Sequence, residues 1–329
     1  MKTHLLRGYF VLAVLLFTFY GANASENDTD QQQAVLVTGA SSGIGLRITE
    51  HLTQQGYFVY AGARKDADLK RLDAMDNVQS IRLDVNKKDQ IEAAVTTIEE
   101  AGRGLYALVN NAGVAVLWPL IEAPETELDF QFQVNIYGPY RITKAFAPLI
   151  IKNKGRITTI SSISGILSGS LFGPYSMSKH AIEAFSDSLA REMERFGVKV
   201  SVIEPGNYQS KIGANIYRRI KSNDVSYEQS LYKEELEGFL AYIQDGENDE
   251  SRADPIAVAK AVEHALFDDQ PKMRYMVVPV QGEAEITIRK AMEEMVQLNQ
   301  DHPFSYDRDT LVKMLDETLD SVQNQDDED

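Results

Sequence analysis

The feature that most constrains the fold is a regular alternation of short apolar runs and longer amphipathic stretches. The apolar runs cover residues 34–38, 57–63, 78–83, 105–110, 156–161, 198–204 and 274–280. Near-continuous apolar runs of this length are typical of strands that are buried on both faces of a parallel sheet. Because strands and helices alternate, the sequence predicts an α/β fold with one Rossmann-type, doubly wound parallel sheet of about seven strands and helices on both faces.

The amphipathic stretches predict the connecting helices. After the first run, Ile44, Ile48 and Leu52 recur every four residues, which places them on one helix face. Further helical patterns cover residues 87–102, 125–151 and 175–196. Such sheets bind ligands at the carboxyl ends of their strands, where the strand order reverses. We therefore expect the functional residues directly after strands.

The two ends of the chain differ from this central region, which we predict to be a catalytic domain over residues 34–282. A basic start, an uncharged run over 9–20 and the step Ala22-Asn23-Ala24 predict a secretory signal over 1–24. An uncleaved N-terminal membrane anchor is the alternative. Either one implies the secretory pathway or export, to the periplasm or the endoplasmic reticulum lumen. Residues 25–33 are predicted to be a linker, and residues 283–329 a helical extension with an acidic tail.

Composition excludes several classes of function. The formal net charge of −16 argues against nucleic-acid binding, which needs a basic face. The absence of cysteine excludes disulfides, thiolate metal sites and a cysteine nucleophile. The five histidines form no H-E-x-x-H pair, and no metal site is predicted.

A glycine-rich turn follows the first predicted strand. The residues expected to hold a cofactor pyrophosphate are Gly39, Ser41, Ser42, Gly43, Ile44 and Gly45. Glycine permits a tight turn and a close approach of the backbone, and the helix N-terminus offers free N–H groups to phosphate. The spacing is G-x-x-x-G-x-G, and an ordinary strand-to-helix loop is the alternative.

The end of the second predicted strand bears on the choice of cofactor. An acidic residue here would bind the adenosine ribose and select NAD. Instead Arg64 and Lys65 stand at this place, and the first acid is Asp66. A cation suits a 2′-phosphate, so the sequence favours NADP, with NAD possible and a solvated Arg64 as the alternative.

Tyr175 and Lys179 begin the helix predicted over 175–196. Side chains four residues apart share a helix face. A free tyrosine has a pKa near 10, and a neighbouring ammonium is expected to lower it and so to make Tyr175 a general acid/base. A tyrosine and a lysine at this spacing are also common on exposed helix faces, which is the alternative.

Together these motifs resemble those of the short-chain dehydrogenase/reductase family. The resemblance combines the glycine turn, Asn110-Asn111-Ala112-Gly113, Ser162 thirteen residues before the tyrosine, and Tyr175-x-x-x-Lys179, over roughly residues 34–280. It implies a catalytic tetrad of Asn135, Ser162, Tyr175 and Lys179. Ser162 would hydrogen-bond the substrate oxygen, and Asn135 would support a proton relay to the lysine. A helix-interior asparagine and an ordinary serine turn are the alternatives.

The resemblance also implies further cofactor contacts. Besides the glycine turn, Arg64, Tyr175 and Lys179, these would come from Asp84, Asn110, Asn111, the backbone near Gly113, Pro205 and Gly206, with Ser210 in place of the family's threonine. The filling Asn207-Tyr208-Gln209 departs from the family and weakens the role of Ser210. Asp84 could instead cap the helix that begins near Lys87.

The predicted function is hydride transfer between NADP(H) and an alcohol or carbonyl. Within the family, the sequence is similar to hydroxysteroid and retinol dehydrogenases, which implies a hydrophobic small-molecule substrate. Residues 207–252 are expected to form a substrate lid, and Leu117, Trp118, Leu171 and Phe172 an apolar wall. A non-catalytic NADP(H)-binding sensor or scaffold is the alternative. The N-terminus allows membrane association, and the resemblance allows a homodimer or homotetramer through the helices 125–151 and 175–196.

Overall fold

The computed structural model describes residues 32–222, 227–246 and 252–328. The predicted signal or anchor over 1–24 lies outside these residues, as does most of the predicted linker. Within the described part of the chain, no helix is both long and apolar enough to cross a membrane.

A seven-stranded sheet forms the centre of the molecule. Its strands are β1 (Ala34–Val37), β2 (Phe58–Ala63), β3 (Val78–Arg82), β4 (Ala107–Asn110), β5 (Arg156–Ile160), β6 (Lys199–Pro205) and β7 (Arg274–Val277). Every neighbouring pair is parallel, and the order is β3-β2-β1-β4-β5-β6-β7. The predicted α/β fold with a doubly wound parallel sheet is confirmed.

Eleven helices are described around and beyond this sheet. They are α1 (Gly43–Gln54), α2 (Asp66–Leu72), α3 (Lys88–Glu100), α4 (Glu125–Asn135), α5 (Tyr137–Lys152), α6 (Gly173–Glu194), α7 (Ile212–Ser222), α8 (Lys233–Gly246), α9 (Ile256–Phe267), α10 (Gln281–Leu298) and α11 (Arg308–Glu328). A short 3₁₀ helix, Ile163–Gly165, follows β5.

Two apolar layers fix the helices to the two faces of the sheet. On one face, α3, α5 and α6 bury side chains such as Phe146 against strand residues that include Leu36. On the other face, α1 and α9 bury Ile48 and Val262 against the alternate strand residues, such as Val35. Because successive side chains of a strand point to opposite faces, one uniformly apolar strand supplies both layers.

The helix predicted over 125–151 is two helices, which corrects the prediction. The backbone departs from the helix at Ile136, between α4 and α5. Pro139 has no N–H to donate to the carbonyl of Asn135, and its ring clashes with a carbonyl four residues earlier in a continuous helix. The chain therefore ends one helix at Asn135 and starts the next.

The last strand is shorter than predicted. β7 ends at Val277, which pairs with Pro205 at the end of β6. The backbone that follows β6 turns away at Gly206. Residues 278–280 therefore have no strand to pair with, and β7 ends.

The strand order reverses between β1 and β4, which are neighbours in the sheet although β2 and β3 lie between them in sequence. The chains leaving these strands separate above their carboxyl ends and open a crevice there.

Candidate active site

A cavity of about 580 Å³ lies above the carboxyl ends of the central strands. Its lining contains most of the predicted site residues: Gly39, Ser41, Ser42, Gly43, Ile44, Gly45, Arg64, Asp84, Asn111, Ser162, Tyr175, Lys179, Pro205 and Gly206. Residues from six strand ends, far apart in sequence, thus meet at one crevice.

The glycine turn at the floor of this cavity needs its glycines. Gly39 and Gly43 have φ values of +66° and +55°, a region that side chains with a Cβ rarely adopt. A Cβ on Gly45 would lie 2.3 Å from Nδ2 of Asn111 and 2.4 Å from the carbonyl oxygen of Gly39. Ser42, the residue before α1, makes no side-chain cap, so the N–H groups of the first helical turn remain available to a ligand.

Ser162, Tyr175 and Lys179 meet on the opposite side of the cavity. The Tyr175 phenol hydrogen-bonds the Ser162 side chain, and the hydroxyl oxygen of Ser162 also accepts from the Ser164 N–H at 3.1 Å. Lys179 is buried, its Nζ donates to the Ile160 carbonyl at 3.0 Å, and it lies 5.6 Å from the centre of the Tyr175 ring. The lysine points into the crevice rather than into solvent.

Burial dominates the pKa values of this pair. Desolvation raises the pKa of Tyr175 above 10.0, and the hydrogen bond from Ser162 opposes this rise only in part. Desolvation lowers the pKa of Lys179 to about 8, against the opposing charge of Glu183. The prediction that the pKa of Tyr175 is lowered is therefore wrong for the protein without cofactor. Burial destabilises the phenolate by more than the neighbouring groups stabilise it.

Asn135 is the last residue of α4, and its side chain forms hydrogen bonds within the protein. Its Oδ1 accepts from the Val114 N–H at 2.9 Å, and its Nδ2 donates to the Val114 carbonyl at 2.9 Å and to Ser178 Oγ at 3.0 Å. The side chain therefore ties the loop after β4 to α6. Its backbone carbonyl lacks the usual helical donor, because Pro139 stands four residues on.

Gln131, which was not predicted from the sequence, makes a second connection between the loop after β4 and α6. It is fully buried, accepts from the Val116 N–H at 2.7 Å and donates to Ser178 Oγ at 3.2 Å. Its place one helical turn before Asn135 is the signal that would have found it.

The two asparagines after β4 have different roles. Asn111 lines the cavity and donates to the Thr38 carbonyl at 2.8 Å, which joins the ends of β4 and β1. Asn110 was also expected at the adenosine side, and this is wrong: it is buried away from the cavity and donates to Thr143 on α5 at 2.9 Å.

Asp84 lines the cavity and also shapes the turn before α3. Its Oδ1 accepts from the Asn86 N–H at 3.0 Å, and its own N–H donates to Gln90 at 2.9 Å. It therefore closes a turn ahead of the helix, which begins at Lys88, at the wall of the crevice.

Arg64 lines the cavity at the end of β2, whereas Lys65 does not. Arg64 is exposed, and its carbonyl accepts from Arg82 at 2.7 Å. Arg71, which no sequence pattern indicated, donates from its guanidinium to the carbonyl of Ser41 in the glycine turn. The guanidinium groups of Arg64, Arg71 and Arg82 therefore lie near the end of β2.

The turn after β6 is closed by a residue of the C-terminal extension. A Cβ on Gly206 would lie 1.9 Å from Oε2 of Glu283, and the same oxygen accepts from the Asn207 N–H at 3.1 Å. Ser210 lines the cavity beside Gly43, and its hydroxyl accepts from the Ile212 N–H at 3.4 Å, at the start of α7.

Helices α7 and α8 fall within the predicted lid and pack on the active-site side of the molecule. They share an apolar cluster with Phe172 and Tyr175. Arg219 of α7 forms two hydrogen bonds with Glu127 of α4, at 2.5 and 2.8 Å, and its guanidinium lies 3.7 Å from the centre of the Phe130 ring.

The predicted apolar wall is largely wrong. Of its four residues only Phe172 lines the cavity, because Leu117, Trp118 and Leu171 are buried. Leu117 and Leu171 pack against the lid helices. The apolar lining comes instead from residues of the loop after β5 and of the lid: Ile163, Leu167, Phe172, Ile216, Phe239 and Ile243.

With this geometry in place, the comparisons with known proteins decide the family. The family described as short chain dehydrogenase matches residues 33–221. The chain belongs to the short-chain dehydrogenase/reductase family. It is accordingly an oxidoreductase of this family, dependent on a nicotinamide cofactor and acting on CH–OH groups.

Individual relatives agree with this assignment. The chain is 34% identical over 275 residues to mitochondrial D-beta-hydroxybutyrate dehydrogenase of Mus musculus, covering 77% of this chain and 78% of the relative. It is 35% identical over 260 residues to retinol dehydrogenase 7 of the same species, covering 74% and 80%. A crystal structure of a short-chain dehydrogenase from Streptomyces avermitilis superposes with a TM-score of 0.68 at 28% identity, covering 84% of this chain and 96% of that one.

Proposed function

We propose that this enzyme transfers hydride between NADP(H) and a hydrophobic alcohol or carbonyl, with Tyr175 as the acid/base. The observation that carries the proposal is the meeting of Ser162, Tyr175 and Lys179 in the same cavity as the glycine turn. A helix N-terminus for phosphate and a proton donor for a carbonyl oxygen are the two parts that such a reaction requires.

The residues present fit a dinucleotide. The cradle around Gly39, Gly43 and Gly45 has no room for a Cβ at its closest point, and the uncapped N-terminus of α1 offers N–H groups there. Asp84 and Asn111 would hold the adenosine end, and Lys179 with the turn at Pro205 and Gly206 the nicotinamide end.

The nicotinamide ring, when bound, supplies or accepts the hydride. The chain's own residues position the substrate and move the proton. Ser162 donates a hydrogen bond to the substrate oxygen and stabilises the charge that develops on it. The Tyr175 hydroxyl gives its proton to that oxygen in reduction and, as phenolate, takes the proton from the alcohol in oxidation. Lys179 holds positive charge beside the phenol and the cofactor ribose.

The raised pKa of Tyr175 keeps its phenol protonated at pH 7, which is the form that donates a proton in reduction. Oxidation requires the phenolate, whose population grows as the pH rises.

Three features of the β2 end support NADP rather than NAD. Arg64 lines the cavity where the adenosine ribose would lie, Arg71 adds a second guanidinium nearby, and Asp66 forms an ion pair with Arg82. A guanidinium pairs with a phosphate through two parallel hydrogen bonds, so a 2′-phosphate suits this end of the crevice.

The lining of the cavity at its substrate end supports the proposal of a hydrophobic substrate. Leu167 and Phe172 line it together with lid residues such as Phe239, and apolar linings of this kind bind apolar ligands. One relative is named for a retinoid alcohol and another for a hydroxy acid. The apolar lining favours the former class, a steroid- or retinoid-like alcohol or its carbonyl.

A substrate screen tests the proposal. Purified protein is incubated with NADPH or NADH and a panel of carbonyls that includes retinoids, ketosteroids and short keto acids, and the absorbance of the reduced cofactor is followed. We expect NADPH to be consumed fastest with an apolar carbonyl. Binding of NADPH without turnover on any carbonyl would contradict the proposal and favour a cofactor sensor or scaffold.

A further inference from the structure

Two glutamates lie buried behind the catalytic lysine. Glu183 stands one helical turn beyond Lys179 on α6, and Glu204 is next to the last residue of β6. Glu204 is 1% exposed and Glu183 is 9% exposed. Buried carboxylates are rare in proteins unless they are paired, and neither takes part in the mechanism given above.

Arg274, the first residue of β7, joins the two carboxyl groups. Its Nε lies 2.7 Å from Oε1 of Glu204, and its Nη2 lies 2.9 Å from Oε2 of Glu183. The same Nη2 lies 3.2 Å from Oδ1 of the more exposed Asp187. One guanidinium thus fixes three acidic side chains from α6 and β6.

The 3₁₀ helix that follows Ser162 packs against the other oxygen of Glu183. That oxygen, Oε1, is buried without a hydrogen-bond partner, and a Cβ on Gly165 would approach it to 2.7 Å. The carboxyl group therefore lies between Arg274 and the backbone of this 3₁₀ helix.

The two glutamates interact directly. Burial, followed by the charge of Glu183, raises the pKa of Glu204 to about 7, because the two carboxyl groups are held close together. The negative charge of Glu183 also opposes the fall that burial imposes on the pKa of Lys179.

We propose that Glu183, held by Arg274, which Glu204 holds in turn, is the counterion that keeps Lys179 charged during turnover, so that these three residues form a positioning unit for the catalytic lysine. This inference rests on the proposed function of Lys179. It assigns no contact with substrate or cofactor to the three residues, and they act through the lysine.

The charged surroundings of Lys179 are otherwise sparse in the described part of the chain. Its own helix offers Tyr175, Glu183 and Asp187, β6 offers Glu204, and β7 offers Arg274. The contacts that α4 makes here are uncharged, through Gln131 and Asn135 to Ser178, and the 3₁₀ helix presents Gly165. Glu183 is therefore the carboxylate that acts on the lysine most directly.

The test compares pH profiles of Glu183→Gln, Glu183→Asp and Asp187→Asn with wild type. Two readouts are taken between pH 6 and 10: the dissociation constant of NADPH from its fluorescence, and the rate of carbonyl reduction. Both depend on the Lys179 ammonium: as it loses its proton, the dissociation constant rises and the rate falls. Glu183→Gln removes the counterion, and we expect the midpoint of both changes to move to lower pH by about one unit.

The matched variants separate charge from structure. Glu183→Asp keeps the charge and should return the midpoint most of the way to wild type, and Asp187→Asn removes a carboxylate of the same arginine without shifting it. Should Glu183→Gln fail to fold, Glu204→Gln replaces it, with a smaller shift expected in the same direction.

Equal midpoints in wild type and Glu183→Gln, or equal shifts in Glu183→Gln and Asp187→Asn, would overturn the inference while leaving the proposed function in place. Wild-type protein that binds NADPH but reduces no carbonyl would overturn the proposed function, and the binding profile would then still decide whether Glu183 sets the charge of Lys179. Failure of the wild-type protein to bind NADPH at all would overturn both the inference about Glu183 and the proposed function.

Discussion

The Nζ of Lys179 lies 5.6 Å from the centre of the Tyr175 ring and donates a hydrogen bond to the Ile160 carbonyl at the end of β5. This relationship joins the sheet to the acid/base: the strand end fixes the ammonium, and one helical turn fixes the phenol relative to it. The lysine is therefore positioned by the fold before any ligand binds.

The buried ammonium makes the stability of the cofactor-free protein depend on pH. Its folded-state pKa of about 8 lies below the ordinary 10.5, so between these values the unfolded chain binds more protons and unfolding becomes less favourable as the pH rises. We expect the difference in free energy of unfolding between wild type and Lys179→Met to move in favour of wild type from pH 8 to 10.5. Urea unfolding at both ends of this range measures it. A difference that is independent of pH would show that Lys179 is not desolvated.

Arg64 should control the choice of cofactor. Loss of a charge-assisted hydrogen bond typically costs about 1.5–3 kcal/mol, so Arg64→Ala is expected to raise the KM for NADPH roughly 10- to 100-fold and to leave that for NADH nearly unchanged. Lys65→Ala is the control, since Lys65 does not line the cavity. Equal effects of Arg64→Ala on both cofactors would exclude a 2′-phosphate contact.

Gly45 should be indispensable to the phosphate cradle. Gly45→Ala places a Cβ 2.4 Å from the Gly39 carbonyl oxygen, so the turn must deform, and we expect NADPH binding to be lost. Gly238→Ala is the matched control: it lies within α8 with nothing within 4 Å of its added Cβ, and it should stabilise the protein by about 0.5–1 kcal/mol. Fluorescence titration and thermal unfolding distinguish the two. Normal NADPH binding by Gly45→Ala would contradict a backbone approach at this point.

Sequence patterns were sufficient for the sheet, for helices α1, α3 and α6 and for most residues at strand ends, because burial on both faces and helical spacing are local properties. They did not reveal which of two adjacent asparagines faces the cavity. Asn110 and Asn111 leave the same strand toward opposite sides, and only the packing of α5 shows that Asn110 belongs to the core.

Contacts between residues that are distant in sequence could not be predicted either. Glu183, Glu204 and Arg274 are separated by 21 and 70 positions, and nothing in the spacing indicates that one guanidinium joins them. The prediction of the apolar wall was wrong for a related reason. Leu117 and Leu171 are as apolar as the residues that line the cavity, but the lid helices cover them. The direction of the Tyr175 pKa shift depends on how far water is excluded, which a helical spacing does not record.

The most direct test of the account is the turnover of Tyr175→Phe with the best carbonyl from the screen. This change removes one hydroxyl and keeps the ring that packs beneath the lid. We expect the rate of carbonyl reduction to fall by about 10²- to 10⁴-fold, with the dissociation constant of NADPH close to that of wild type, whereas Tyr140→Phe on the exposed face of α5 changes neither. Turnover of Tyr175→Phe near the wild-type rate would contradict the assignment of Tyr175 as the proton donor.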